Sequence, residues 1–178
     1  MSDADDAIER EREFERIVLP LRPRMNRSVW RVVRDADLAE EALQDALEAL
    51  WRKLHVLRSH PNPEAFVLRV CLDAAHDQLR ARIRRRALSA TLGEAVDSTE
   101  TGEGRAWVGE VLAEVGRLAR RQAVALLLHA VEGEPYESVA RALGCSEATA
   151  RVHVQRAREK LRRRFGRDVP RVSTEASS

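Results

Sequence analysis

Cysteine is nearly missing from this chain. Cys71 and Cys145 stand far apart and neither belongs to a CxxC pair, which argues against a disulfide framework and against a thiolate zinc site. Both read as small packing residues. The 5 histidines fall into no HExxH or comparable ligand spacing, so no metal and no cofactor is expected. No nucleophile–base pair and no phosphate-cradling loop stands out. An enzyme on a helical scaffold is therefore the weakest reading, and no catalytic residue is assigned. Apolar runs stay well short of the roughly 20 residues that a membrane-spanning helix needs, so direct membrane insertion is not expected. The first residues, MSDADDAIEREREFER, are acidic and lack the basic and apolar regions of a secretory signal. A cytoplasmic protein is the default expectation. Glycine and proline are sparse, 8 and 6 in 178 residues, and long runs of Ala, Leu, Arg and Glu favour an all-α fold.

Net charge is small too, +2 overall, so the placement of charge says more than its sum. From Arg117 to Arg167 there are 12 Lys and Arg against 5 Asp and Glu. That local excess suits a surface that meets phosphates. It lies on the stretch GEPYESVARALGCSEATARVHVQRAREKLRRRF, Gly133 to Phe165. Pro135 fits a helix start, Gly144 tolerates the left-handed conformation that ends a helix, and Ser146 can cap the next. Ala150, Val154, Ala157 and Leu161 then form one inward stripe, leaving Arg151, Gln155, Arg156 and Arg158 outside. Two helices about a short turn, the second basic on its free face, is the helix-turn-helix layout. A solvated arginine face is the plain alternative.

The remaining elements follow from periodicity. Residues 1–13 form an acidic N-terminal segment that either frays or begins the first helix. Pro20 and Pro23 place a helix start near Leu21, running to Val33 with Trp30 in the core. Asp35 and Asp37 offer caps for a helix from Leu38 to Leu54, buried along Ala39, Leu43, Ala46, Leu47, Leu50 and Leu54. Glu41, Gln44, Asp45, Glu48 and Arg52 lie on its other face. Arg58 to Glu64 reads as a proline-punctuated loop, followed by a helix from Ala65 to about Arg86 that ends in Arg80, Arg82, Arg84, Arg85 and Arg86. Asp73, His76 and Asp77 share one face of that helix, without a second cluster to complete a metal or acid–base site. ALSATLGEAVDSTETGEG, from Ala87, is small, polar and acidic, the composition of a linker. Helices return at about Arg105 and at Arg120 to Val131. The expected organisation is two small helical domains, 14–88 and 105–167, joined by a flexible linker at 89–104. A disordered tail, 168–178, follows the C-terminal helix-turn-helix.

Three stretches together resemble the extracytoplasmic-function group of sigma-70 family bacterial sigma factors. DADLAEEALQDALEALWRKL, from Asp35, is similar to the region 2 helix that docks on the RNA polymerase clamp. FVLRVCLDAAHDQLRARIRRR, from Phe66, is similar to the helix that reads and opens the −10 element. LARRQAVALLLHAVEGEPYESVARALGCSEATARVHVQRAREKL, from Leu118, resembles region 4, the −35 reader. The resemblance implies a polymerase-facing set, Glu41, Gln44, Asp45 and Glu48, and a −35 set, Arg151, His153, Gln155 and Arg156. It implies a −10 set of His60 and Asn62 in the loop with Asp73, His76, Asp77, Arg80 and Arg84 on the helix. Implied partners are core RNA polymerase, promoter DNA and, as is typical of the family, an anti-sigma factor. The second stretch departs from the family pattern, which often has Trp at Phe66, Tyr at Leu68, a basic residue at Leu72 and Asn at Asp73. A carboxylate facing a phosphate-rich strand loses favourable electrostatics. A sigma-like DNA-binding regulator that does not itself open promoters is therefore the alternative reading.

Overall fold

The computed structural model describes residues 3–92 and 103–166, all of whose regular elements are helical. Helix α1 spans Asp3–Val18, and a 3-10 turn, Leu19–Leu21, carries Pro20 in its first positions. Proline has no N–H to donate, so a continuous helix is broken there. Helix α2, Arg22–Val33, starts with Pro23 in its first turn and stops at Arg34, which is left-handed at φ 53°. The acidic N-terminal segment thus opens the first helix from Asp3 onward, and the domain start expected at residue 14 falls inside α1.

Helix α3, Ala36–Arg52, is capped by Asp35, whose side chain accepts from the Leu38 N–H at 3.0 Å. Its fully buried stripe is Ala39, Ala42, Ala46 and Leu50, with Leu43 and Leu47 packed at the margin. The helix ends at Lys53, and a short α4, Leu54–Ser59, occupies the start of the segment expected to be loop. Trp30 is not core. It is 51% exposed, because Met25, Val29, Val32 and Val33 turn inward and leave the next position outside. Trp51 is half-buried, edge-on to Phe14 at 5.3 Å and beneath the Arg10 guanidinium.

Helix α5 runs from Pro63 to Leu92 and organises the molecule. Its first half is buried on every side: Ala65 to Leu68, Val70 to Leu72 and Ala74 to His76. A helix that is apolar all round must be covered all round. Helices α2 and α3 pack on it from one side. Helices α6 (Glu103–Arg117), α7 (Arg120–Ala130) and α8 (Tyr136–Leu143) pack on it from the other. The linker shortens accordingly: Ser89 to Leu92 are the last residues of α5, Glu103 begins α6, and the rest of the expected linker lies outside the described residues. The tail 168–178 also lies outside them.

Helix α6 crosses α5 at Gly116. A Cβ there would sit 3.0 Å from Leu79 Cβ and 2.7 Å from Ile83 Cδ1, so only glycine lets the two helices come this close. Helix α9, Glu147–Phe165, completes the second layer against α7 and α8. Gly144, at φ 61°, ends α8, and the Ser146 hydroxyl accepts from the Thr149 N–H at 3.2 Å to start α9. Ala150, Val154, Ala157 and Leu161 are all buried, as their spacing requires.

Candidate functional site

Three surfaces bring together the residues singled out in the sequence. On α3, Glu41, Gln44, Asp45 and Glu48 are all exposed along the face opposite the buried alanines. Glu48 reaches Arg52 at 3.8 Å, a solvent-exposed pair of little energetic consequence. Among the described residues no other element covers the carboxylates of Glu41 and Asp45, so the stripe is an open acidic face.

On α9, Arg151, Gln155 and Arg156 are exposed. Arg151 lies over the Tyr136 ring at 4.4 Å and pairs with Glu147, while the Gln155 amide donates to Glu159 at 3.1 Å. Tyr136 itself stacks on His129, with ring centroids 4.1 Å apart. This aromatic pair holds Arg151 at the N-terminal end of the helix that a groove-reading element would insert first. His153 is half-buried, and burial pushes its pKa down, helped by Arg121 and Arg156. A neutral imidazole beside two arginines can accept a hydrogen bond as well as donate one.

The third group is gathered but covered. His60 and Asn62 cap the entry to α5: Asn62 Oδ1 accepts from the Ala65 N–H at 3.0 Å, and His60 packs on Phe66 at 4.9 Å. Both are also bound from across the molecule by α8. The Asn62 amide donates to the Ser138 hydroxyl at 2.9 Å, and His60 Nε2 lies 3.2 Å from the Arg141 carbonyl oxygen. Asp73 pairs with Arg69 at 3.1 Å and lies 4.0 Å from Arg120 of α7, which also binds Asp77 at 2.5 Å. Burial raises the Asp73 pKa above the usual carboxylate range, against the pull of Arg69 and Arg120.

His76 stands apart from the set it was expected to join. It has no exposed surface, and neither ring nitrogen makes a hydrogen bond of normal geometry. Burial lowers its pKa, although Asp77 and the Val115 backbone favour the charged form. In the isolated chain His76 packs under the second helical layer. Arg80 and Arg84 are exposed at the far end of α5.

The departures on α5 have a packing explanation. Leu68 and Leu72 are 1% and 0% exposed. A basic side chain at Leu72 would bury an unpaired charge. Sequence spacing missed Arg24, Arg120, Glu132, Glu134 and Ser138. The overlooked signal is that the apolar residues at the head of α5, Ala65 to Leu68, Val70 to Leu72 and Ala74 to Ala75, fall on all its faces, which a single amphipathic stripe does not explain.

Family comparison agrees with this geometry. Residues 17–85 match Sigma-70 region 2, and residues 109–161 match Sigma-70, region 4. The RNA polymerase sigma-H factor of Pseudomonas aeruginosa is 28% identical over 163 residues, covering 84% of each chain. Among solved structures, the chain resembles the sigma factor RpoE from Bartonella quintana, solved in complex with the anti-sigma factor NepR. The TM-score is 0.55 at 24% identity, over 87% of this chain and 98% of that one. With a region 2 match spanning α2 to α5 and a region 4 match spanning α6 to α9, this chain belongs to the sigma-70 family of RNA polymerase sigma factors, in the two-region layout of the extracytoplasmic-function group.

Proposed function

We propose that the promoter-directing work of this sigma factor is divided among the three surfaces. Glu41, Gln44, Asp45 and Glu48 would take core RNA polymerase. Arg151, His153, Gln155 and Arg156 would read the −35 major groove. His60, Asn62, Asp73, Asp77, Arg80 and Arg84 would take the −10 strand, with the loop residues holding an unstacked base by its edges. The observation that carries the reading is the free face of α9, where Arg151 and Arg156 stand exposed on a helix capped and positioned as a groove reader. A guanidinium there can meet guanine O6 and N7 together. Arg158, Lys160, Arg162 and Arg163 suit phosphates, which position the helix without reading sequence.

Phosphoryl transfer belongs to the polymerase, so this chain needs no catalytic residue of its own. Among the described residues no helix is long and apolar enough to cross a membrane. Work alongside polymerase and chromosomal DNA supports a cytoplasmic location. The resemblance to a sigma factor solved with its anti-sigma factor supports a partner of that class here.

The test is in vitro transcription with core RNA polymerase and genomic DNA, followed by sequencing of the 5′ ends. Defined starts with a shared −35 and −10 pair are expected. Asp45→Arg should weaken binding to core by about tenfold, roughly 1.4 kcal/mol, in a direct titration. Unchanged core binding would remove α3 from the polymerase interface. Stable core binding without any transcript would favour the non-initiating regulator.

A further inference from the structure

Helix α9 shows one side chain out of keeping with its outer face. Val152 is 41% exposed, and among the described residues it is the only large apolar side chain left exposed on α6 to α9. Its position explains the exposure. Ala150, Val154, Ala157 and Leu161 fill the inner face, and Val152 lies two positions from both Ala150 and Val154, about 200° round the helix axis. Arg151, Gln155 and Arg156 stand beside it, open to solvent. One turn earlier Ala148 is exposed as well, and residues four apart share a helix face. The two form a short apolar ridge between charged neighbours.

In the isolated chain this valine stabilises nothing. It belongs neither to the buried core nor to the residues packed against it. A β-branched side chain also loses rotamer freedom in a helix, so alanine would suit an exposed position better. Single exposed apolar residues are common on protein surfaces; the place of this one sets it apart. It stands at the centre of the strip, between Arg151 and Arg156, that would enter the major groove. The groove floor offers one apolar group, the C5-methyl of thymine. We infer that Val152, flanked by Ala148, is the thymine-sensing element of α9 and packs its methyls on the C5-methyl of a thymine in the −35 element. The inference rests on the −35 reading of α9 and adds what its arginines lack. A guanidinium carries donors only and addresses acceptors on the base edges. Contact with a methyl separates thymine from cytosine, whose C5 is bare.

Replacing a thymine by deoxyuridine removes that methyl and keeps every hydrogen-bonding group of the base. The test is equilibrium binding of the −35 duplex from mapped starts to the full chain on core RNA polymerase. Each thymine of either strand is replaced in turn, and a duplex with a scrambled −35 element serves as reference. At one position deoxyuridine should weaken binding about fourfold, the effect of one buried methyl-sized group. Val152→Ala should bind the thymine and deoxyuridine duplexes almost alike. Val152→Thr, which keeps one γ-methyl, should retain part of the difference. Val152→Ala should also hold or raise thermal stability, because a better helix former replaces an exposed valine. Lost discrimination is then not lost folding.

Discrimination that survives Val152→Ala, or a −35 element with no thymine whose methyl matters, overturns the thymine contact and leaves α9 as the −35 reader. So does a variant that binds thymine, deoxyuridine and scrambled duplexes all more weakly by one factor, the mark of a backbone contact. Wild-type binding that ignores the −35 sequence overturns the −35 reading itself, and the thymine contact with it. The scrambled duplex tells the two failures apart.

Discussion

The two surfaces proposed to meet nucleic acid are built alike and engaged differently in the isolated chain. Each sets arginines and hydrogen-bonding side chains on a capped helix. On α9 the side chains proposed to read bases bond within the helix-turn-helix, Arg151 to Glu147 and Tyr136, Gln155 to Glu159, and the face is open to solvent. At the head of α5 the corresponding groups bond to distant residues, Asn62 to Ser138 and Asp77 to Arg120. A surface that meets DNA through local elements stays free. One that also offers acids and amides to its own second half is covered until something competes. The acidic residues on α5 that look wrong for a phosphate backbone are well suited to an arginine.

The most damaging way to break the contrast is through the shared helix. Leu72 is fully buried in α5, between the two layers, so Leu72→Ala should cost about 2–5 kcal/mol in urea denaturation. Helix packing of both halves should be lost in one transition. Two separate transitions would mean that the halves do not share α5 as a core. A smaller effect is expected of Arg24→Ala, which leaves Glu132 with its charge almost fully buried. The cost should be about 1–3 kcal/mol, and it should appear as loss of docking while α9 keeps its helicity.

The open surface can be divided as well. Arg156→Ala should lower discrimination at one −35 position by about 1–3 kcal/mol. Arg163→Ala should weaken all sequences alike and reduce the slope of log affinity against log salt by about 1. Matching behaviour of the two variants would show that α9 reads no bases through Arg156.

The smallest effect is one of pH. His76 is buried with its pKa lowered, so the folded state prefers the neutral ring. Its contribution is complete above the unfolded value of about 6.5 and is lost as pH falls from there through its lowered folded value. Thermal stability should decline on acidification from about pH 7.5 to 5.5, and His76→Gln should decline less. Asp73, raised by burial, works in the opposite sense: its contribution is complete below the unfolded value of about 4 and is lost as pH rises from there through its raised folded value.

Much of this was legible in the sequence, for reasons that are local. The cap at Ser146, the left-handed Gly144 and the four-residue buried stripe of α9 depend on side chains within a few positions of one another. So does the acidic face of α3. Trp30 was misplaced because an aromatic residue near an apolar stripe is ordinarily drawn into it, whereas here the neighbouring valines fill the seam. His76 is buried in the isolated chain, and helical spacing gives a shared face but not what covers it. The contacts of Arg24 and Arg120 with the opposite half were illegible for the same reason. Arg24 and Glu134 lie more than a hundred positions apart, and no periodicity links them.

The most direct measurement is equilibrium binding of a single-stranded −10 oligonucleotide and a −35 duplex, both taken from mapped starts, to the chain alone and to the chain on core polymerase. The −35 duplex should bind with similar affinity in both states, since α9 is open in the isolated chain. The −10 strand should bind about tenfold or more tightly on core, as an equilibrium shifted from mostly closed to open requires. Equal −10 affinity in the two states would contradict the account.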